Sequence, residues 1–106
     1  MKNTQLAILS DIYKSELSSF VQTASQLKSE GITKLVIDLS SVPKEEKLEY
    51  MSLLIGVFIS EGIETRYTGI DKKITESADW GIHRRYALQS VHENLESAVQ
   101  SFSKSQ

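Results

Sequence analysis

Residues 35–42 of this chain read Leu35-Val36-Ile37-Asp38-Leu39-Ser40-Ser41-Val42, an apolar run that ends in a polar turn. The centre of the run is continuously apolar, which is typical of a strand buried on both faces of a sheet. A long amphipathic pattern begins at Pro43, a residue tolerated at a helix start because its missing N–H is not needed there. The order strand, serine-containing turn, helix therefore predicts an α/β domain that displays a polar turn at the tip of a central strand.

Patterns on both sides of this segment extend the alternation of strands and helices. Short apolar or β-branched runs predict strands at residues 5–9 and 63–70, beside the central strand at residues 33–39. Asp11 is expected to cap a helix whose apolar face consists of Tyr13, Leu17, Phe20, Val21, Ala24 and Leu27. A stronger helical stripe follows Pro43, made of Leu48, Met51, Leu54, Ile55, Phe58 and Ile59. Strands joined by helices imply parallel pairing with a right-handed crossover.

The C-terminal third carries weaker signals. Asp71 is expected to cap a short helix, and residues 85–88 are predicted to form a last edge strand. Ser90 and Glu93 match a capping box, in which serine and glutamate satisfy each other's backbone donors at a helix start. The closing helix that follows has an apolar face of Val91, Leu95, Ala98, Val99 and Phe102.

These elements predict one α/β domain, with a mixed sheet of about four strands and helices mainly on one face. The chain has 106 residues, which is about the usual size of a single domain. We expect an ordered core over residues 6–102 and a tail over residues 103–106.

Composition narrows the classes of function. The formal net charge is −2 and the basic residues are dispersed, whereas nucleic-acid binding needs a concentrated positive field. There is no cysteine, so disulfides and thiolate chemistry are excluded. No apolar run reaches the length that a membrane span requires. We therefore expect a cytoplasmic protein that does not bind nucleic acid, does not insert into a membrane and needs no cofactor.

The sequence contains no recognisable catalytic or metal-binding motif. No nucleophile elbow, phosphate-binding loop or dinucleotide fingerprint occurs. The two histidines, His83 and His92, are far apart and are expected on the surface. Asp38 follows a strand as a phospho-receiver aspartate does, but it is better interpreted as an acceptor for turn N–H groups. The aromatic-basic cluster around Trp80 suits either a binding hot spot or the edge of the core. A non-enzymatic protein is therefore predicted.

Three segments, taken in order, resemble the STAS domain of anti-sigma factor antagonists and sulfate-transporter tails. They are the Leu35–Val42 strand and turn, the Gly62-Ile63-Glu64-Thr65 strand and the Leu95-Glu96-Ser97-Ala98-Val99 helix. The resemblance covers residues 6–102 and implies a STAS-like fold. In that family an acidic residue and Ser-Ser-Gly begin the second long helix, and one serine accepts phosphate. The corresponding positions here are Glu46, Lys47, Leu48 and Glu49, so the resemblance implies no serine phospho-switch.

The residues expected to contact a partner cluster around the polar turn, namely Ser40, Ser41, Lys44, Glu45, Glu46, Lys47 and Glu49. Ser40 and Ser41 are interpreted either as partner contacts and a displaced phosphoacceptor or as ordinary turn residues. The acidic residues suit the positive end of the helix dipole, and Glu46 or Glu49 can also imitate a phosphate permanently.

We predict a non-catalytic regulatory or adaptor module that binds a protein partner through residues 40–47. The resemblance implies, as partner classes, serine kinases with anti-sigma activity and subunits of transporters. The alternative is a domain that binds a small molecule, lipid or nucleotide at the ends of the strands, near Ser40 and Gly69-Ile70-Asp71, where open α/β sheets often bind ligands. A STAS-type subunit of a transporter is one example. The sequence leaves the partner's identity and the oligomeric state open.

Overall fold

The computed structural model describes residues 6–14 and 16–104 of the chain. The strands within these residues are β1 (Leu6–Leu9), β2 (Lys34–Asp38) and β3 (Glu64–Thr68). The helices are α1 (Leu17–Ser29), α2 (Lys47–Ser60), α3 (Lys72–Glu76), α4 (Arg84–Ser90) and α5 (Leu95–Lys104). Short 3₁₀ turns at Lys44–Glu46 and Gly81–His83 lead into α2 and α4.

The three strands form one sheet in the order β1-β2-β3, and both pairs are parallel. β2 therefore lies in the centre, which explains its uninterrupted apolar run: Leu35 and Ile37 enter the main core, while Val36 enters a smaller core on the opposite face. The sequence predicts a mixed sheet of about four strands, and this prediction is wrong: the described residues form a purely parallel sheet of three strands. Parallel pairing follows because a helix connects each strand to the next and returns the chain to the same end of the sheet.

The two faces of the sheet are covered unequally. On one face α1 and α2 pack against the sheet and form the main core with it. Phe58 of α2 and Ala87 of α4 are members of this core. On the other face α5 contacts β2 and β3 through a small core of Val36, Ala98 and Phe102. Of the described residues, no helix is long and apolar enough to cross a membrane.

The segment before α1 differs from the sequence prediction. Asp11 was expected to cap α1 and Tyr13 to lie on it, but Asp11 and Lys14 have φ values of 53° and 72°, which an α-helix does not allow. The chain instead makes a turn that buries Ile12. The turn also brings the Tyr13 ring next to the Tyr50 ring of α2, with 5.9 Å between the ring centroids. The helix begins only at Leu17 because these long-range contacts outweigh the local helical pattern.

The predicted edge strand at residues 85–88 is also wrong, because Arg84–Ser90 forms α4. Tyr86, Ala87 and Ser90 all turn inward, at the spacing of a helix face, and the Ser90 hydroxyl donates to the Tyr86 carbonyl at 2.5 Å. After α4, outside the predicted residues 85–88, Val91 forms an isolated parallel bridge with Tyr67.

The start of α5 lies later than the proposed capping box. Ser90 ends α4, and the side chain of Asn94 accepts a hydrogen bond from the Ser97 N–H at 2.8 Å, which is the usual N-cap arrangement. α5 continues through Lys104, where a tail was expected from residue 103. The short helix capped by Asp71 is confirmed, with the Asp71 carboxylate accepting from the Lys73 N–H at 2.9 Å. Gln5 and residues 105–106 lie outside the described residues.

Candidate functional site

The turn that follows β2 lies on the surface at the carboxyl end of the sheet. Of the residues expected to bind a partner, five are exposed, namely Ser40, Ser41, Lys44, Glu45 and Glu49. Glu46 and Lys47 are half-buried, and each is engaged with another part of the fold. All seven residues thus lie near the start of α2. Five of them are exposed to solvent, whereas Glu46 and Lys47 hold the turn against the rest of the fold.

Asp38 holds the first half of the turn. Its carboxylate accepts hydrogen bonds from the Ser40 N–H at 3.0 Å and from the Ser40 hydroxyl at 2.7 Å. The Thr68 hydroxyl at the end of β3 lies 3.4 Å from the same oxygen. This is the turn-acceptor role predicted for Asp38, since short carboxylates commonly bond to the backbone two residues on.

Gly69 closes the second side of the turn. Its φ of +78° is one that residues with a side chain rarely adopt, and a Cβ atom there would lie 2.6 Å from the Ser40 nitrogen and 2.7 Å from Asp38 Oδ1. The Lys47 ammonium donates to the Gly69 carbonyl. The loops after β2 and β3 therefore lie in close contact at Gly69.

Glu46 anchors the far end of the turn. Its carboxylate accepts a hydrogen bond from the Tyr13 hydroxyl at 2.9 Å, and this hydrogen bond raises the pKa of Tyr13. The Tyr50 hydroxyl next to it accepts from the Lys14 N–H at 2.9 Å. Glu46 therefore joins the segment before α1 to the start of α2, which leaves Glu49, rather than Glu46, as the exposed acid able to imitate a phosphate.

The region of the alternative ligand site contains a cavity of about 270 Å³ beyond the end of β3. Its walls are formed by Ile70, Lys72, Val91, His92, Glu93 and Ser97. Of the residues named for a ligand, only Ile70 lines the cavity, because Asp71 is occupied with capping α3 and Ser40 lies beside Gly69. Among residues 6–14 and 16–104, no group of three or more His, Cys, Asp or Glu side chains is arranged to hold a metal ion.

The aromatic-basic cluster around Trp80 also consists of some side chains that are engaged within the fold and others that are exposed. The Trp80 indole is buried and donates to the Thr75 carbonyl at 2.8 Å. The Tyr86 hydroxyl contacts Thr65, accepting from its N–H at 2.7 Å. Both aromatic rings therefore serve the core, while Arg84 and Arg85 are exposed.

His92 was expected to face water at the start of the last helix, and this expectation is wrong. Its backbone N–H donates to the Tyr67 carbonyl at 2.9 Å, and its Nδ1 lies 3.2 Å from the Ser97 hydroxyl. Its Nε2 is buried and has no hydrogen-bond partner within the described part of the chain. Burial lowers the pKa of His92, and the positive charges of Arg66 and Lys72 lower it further.

This environment predicts a loss of stability in mild acid. The folded protein favours the neutral His92 ring, whereas in the unfolded chain histidine has a pKa of about 6.5. As the pH falls through that value the unfolded state takes up the proton first, so the melting temperature should begin to fall near about pH 7 and should keep falling until the folded His92 ring is protonated too. Replacing His92 by glutamine should flatten this part of the profile, measured by circular dichroism. The His83→Gln variant is the control, and an equal flattening there would contradict the assignment to His92.

Comparison with known proteins gives no assignment, because no protein family, curated protein or solved structure matches the chain. The resemblance to the STAS domain therefore stays a prediction from the residues. The sequence did not indicate Thr68 as a member of the site, and it indicated Gly69 only for the alternative ligand site, not as a contact of the turn. A lone glycine at the end of a strand is the signal that can find such a position, since it often marks a close approach of another backbone.

Proposed function

We propose that this chain is a non-catalytic regulatory or adaptor module that binds a protein partner through residues 40–47. The proposal is carried by one observation: the turn after β2 is exposed and yet anchored at both ends. Ser41, Lys44 and Glu45 face solvent. The Asp38 carboxylate accepts from Ser40 within the turn, and the Lys47 ammonium donates to the Gly69 carbonyl of the neighbouring loop. The resemblance to the STAS domain implies that the partner-binding surface lies at this turn. It also suggests anti-sigma kinases and transporter subunits as partner classes.

An anchored turn favours binding because its backbone is already ordered. Association always costs conformational freedom at the interface, and a preorganised surface reduces that cost. The exposed charges of Lys44, Glu45 and Glu49 supply partner selectivity and faster encounter more than affinity. The module is proposed as a constitutive binder, because the two serines of the phosphorylated family motif are replaced here by Lys47 and Leu48.

The ligand-binding alternative has one observation in its favour, the cavity beside Ile70 and Lys72. That cavity, at about 270 Å³, is just below the range of roughly 300–1,000 Å³ usual for small-molecule sites. Where the ligand was expected, Ser40 and Gly69 approach each other so closely that a Cβ atom at position 69 would lie 2.6 Å from the Ser40 nitrogen. The protein-binding function is therefore the one that the geometry supports better.

The experiment exchanges two exposed charges of the turn in the variant Lys44→Glu/Glu45→Lys. The net charge stays the same, and stability should change by less than about 0.5 kcal/mol because both side chains face solvent. We expect about tenfold weaker binding of a partner isolated with the wild-type protein, measured by calorimetric titration. Glu46 is left unchanged because its reversal would also break the contact with Tyr13.

A matched control exchanges charges elsewhere, in the variant Arg85→Glu/Glu96→Lys. Both residues are exposed, on α4 and α5, and the net charge is again unchanged. The control should bind the partner as the wild type does. Equal affinity of the turn variant and the wild type would overturn the proposal, and a thermal shift with nucleotides or lipids but no protein partner would favour the alternative.

A further inference from the structure

A groove runs along the outer surface between α1 and α2, away from the sheet. It has a volume of about 400 Å³ and is lined by Val21, Ala24, Ser52, Leu53, Gly56, Val57, Ser60 and Glu61. At the start of α2 it continues into a depression of about 480 Å³ that shares Ser52 and Leu53 with it and extends to Glu49 and Tyr50. The groove therefore begins next to the turn of the proposed partner site and follows α2 to its end.

Val21 and Leu53 in the groove, and Leu17 outside its lining on α1, are apolar side chains that the fold leaves exposed. Leu17 is 52% exposed, Val21 48% and Leu53 37%. Leu17 and Val21 lie one turn apart on α1, which places them on the same face of that helix. Contiguous apolar surface of this kind on a small protein commonly marks a place where another molecule binds.

Gly56 forms part of the groove floor, and the fold itself does not require a glycine there. A Cβ atom at this position would meet nothing within 4 Å, and glycine in a helix interior is less stable than alanine. Ser52 and Ser60 lie four residues before and after it, on the same face of α2. The small side chains keep the floor low, so that a bound backbone can approach α2 closely.

The walls of the groove favour a helix as the bound segment. An extended strand needs backbone partners for its own N–H and C=O groups, and the two helices that form the walls use theirs internally. A bound helix satisfies its backbone by itself and presents side chains to an apolar groove, which is a common form of peptide recognition.

The charges of the groove favour a basic partner. Glu49 lines one end and Glu61 the other, and their separation along α2 is about 18 Å at 1.5 Å per residue. Lys28 lies 3.6 Å from Glu61 but its side chain is 63% exposed, so it screens that carboxylate only weakly. Glu16 adds a further exposed carboxylate before Leu17. A second copy of this chain would bring carboxylates together and is disfavoured.

We propose that this groove binds an amphipathic helix of the protein partner, with its apolar face on Val21 and Leu53. Lysine or arginine side chains about twelve residues apart on that helix would contact Glu49 and Glu61. The inference rests on the proposed protein-binding function and extends it from the turn along the length of α2.

The test uses a fluorescein-labelled synthetic helix of about 18 residues, with a leucine stripe and two lysines about twelve positions apart. Because a Cβ atom at position 56 would meet nothing within 4 Å, we expect the variant Gly56→Leu to place its side chain in the groove. It should keep or raise the melting temperature and weaken peptide binding at least tenfold in fluorescence anisotropy. Ser52→Arg, at another exposed position of the floor, is the second blocking variant if Gly56→Leu does not fold.

A charge exchange tests the two ends of the groove. The variant Glu49→Lys/Glu61→Lys should bind the lysine peptide about tenfold more weakly than the wild type and should bind a matched glutamate peptide more tightly. Unchanged affinity of the lysine peptide for the blocking and charge-reversed variants would overturn the inference. So would a concentration-dependent dimer in sedimentation that Gly56→Leu abolishes, because the occupant would then be a second copy.

The isolated partner separates this inference from the proposed function. If Lys44→Glu/Glu45→Lys weakens partner binding and Gly56→Leu does not, the turn binds the partner and the groove inference fails alone. If neither variant weakens partner binding, both proposals fail. Weaker partner binding by both variants supports both.

Discussion

Replacing Gly69 by alanine is expected to lower the free energy of unfolding by roughly 2–4 kcal/mol. Two causes add together. The φ of +78° is strained for any residue with a side chain, and the new methyl group would lie 2.6 Å from the Ser40 nitrogen, a backbone atom that cannot turn away. The same displacement would loosen the turn that Asp38 holds, so partner binding should weaken as well.

Urea denaturation of the Gly69→Ala and Gly31→Ala variants separates these two causes. Gly31 has a similar φ of +82°, but a Cβ atom there meets nothing within 4 Å. Gly31→Ala should therefore carry only the conformational cost of about 1–2 kcal/mol. Equal losses in the two variants would mean that the loops after β2 and β3 move apart freely, which would contradict an anchored turn.

Replacing Tyr67 by alanine is expected to cost about 3–5 kcal/mol, the usual range for removing a fully buried aromatic ring. Tyr67 is 0% exposed, and its hydroxyl accepts from the Thr65 hydroxyl at 3.0 Å. Burial raises the pKa of Tyr67, because the phenolate form would lose its solvation. The variant would leave a cavity in the middle of the main core, where α4 and β3 meet.

The Tyr67→Phe variant is the control for the ring itself. It keeps the ring and removes only the hydroxyl, so we expect a loss of about 1 kcal/mol in the same denaturation experiment. If alanine and phenylalanine were equally tolerated at position 67, the close packing of β3 against the helices would be refuted.

The parts of the fold that the sequence predicted well are those where a local pattern and tertiary burial agree. The apolar centre of β2 is buried on both faces because helices cover both sides of the sheet, with Leu35 and Ile37 in the main core and Val36 under α5. The stripe on α2 places Met51, Leu54 and Phe58 in the core at helical spacing. In both cases a local pattern, a continuous apolar run in β2 and a helical stripe in α2, is sufficient.

The errors occur where distant contacts decide the local structure. The turn before α1 depends on Tyr13 meeting Glu46, which follows it by 33 residues. The helix α4 depends on Tyr86 reaching Thr65, 21 residues before it. The local propensities of these two segments carry no information about such distant contacts. The sequence pattern alone therefore could not show whether each segment is helical or extended.

The sequence predicted which residues belong to the candidate site, but not which of them hold the turn in place. The sequence placed Ser40, Ser41 and Lys44 correctly at an exposed turn. It gave Lys47 the role of a partner contact, whereas the structure directs its ammonium to the Gly69 carbonyl. That contact joins two loops that are adjacent only because β2 and β3 are neighbours in the sheet.

The unequal cover of the sheet determines how the molecule can open. α5 lies over β2 and β3 on its small core, with the Arg66 guanidinium 4.4 Å from the centre of the Phe102 ring. Detaching this one helix disturbs far fewer buried groups than separating α1 and α2 from the main core. Partial unfolding in proteins starts in such lightly buried units. The back of the sheet can therefore be uncovered while the turn after β2 keeps its shape.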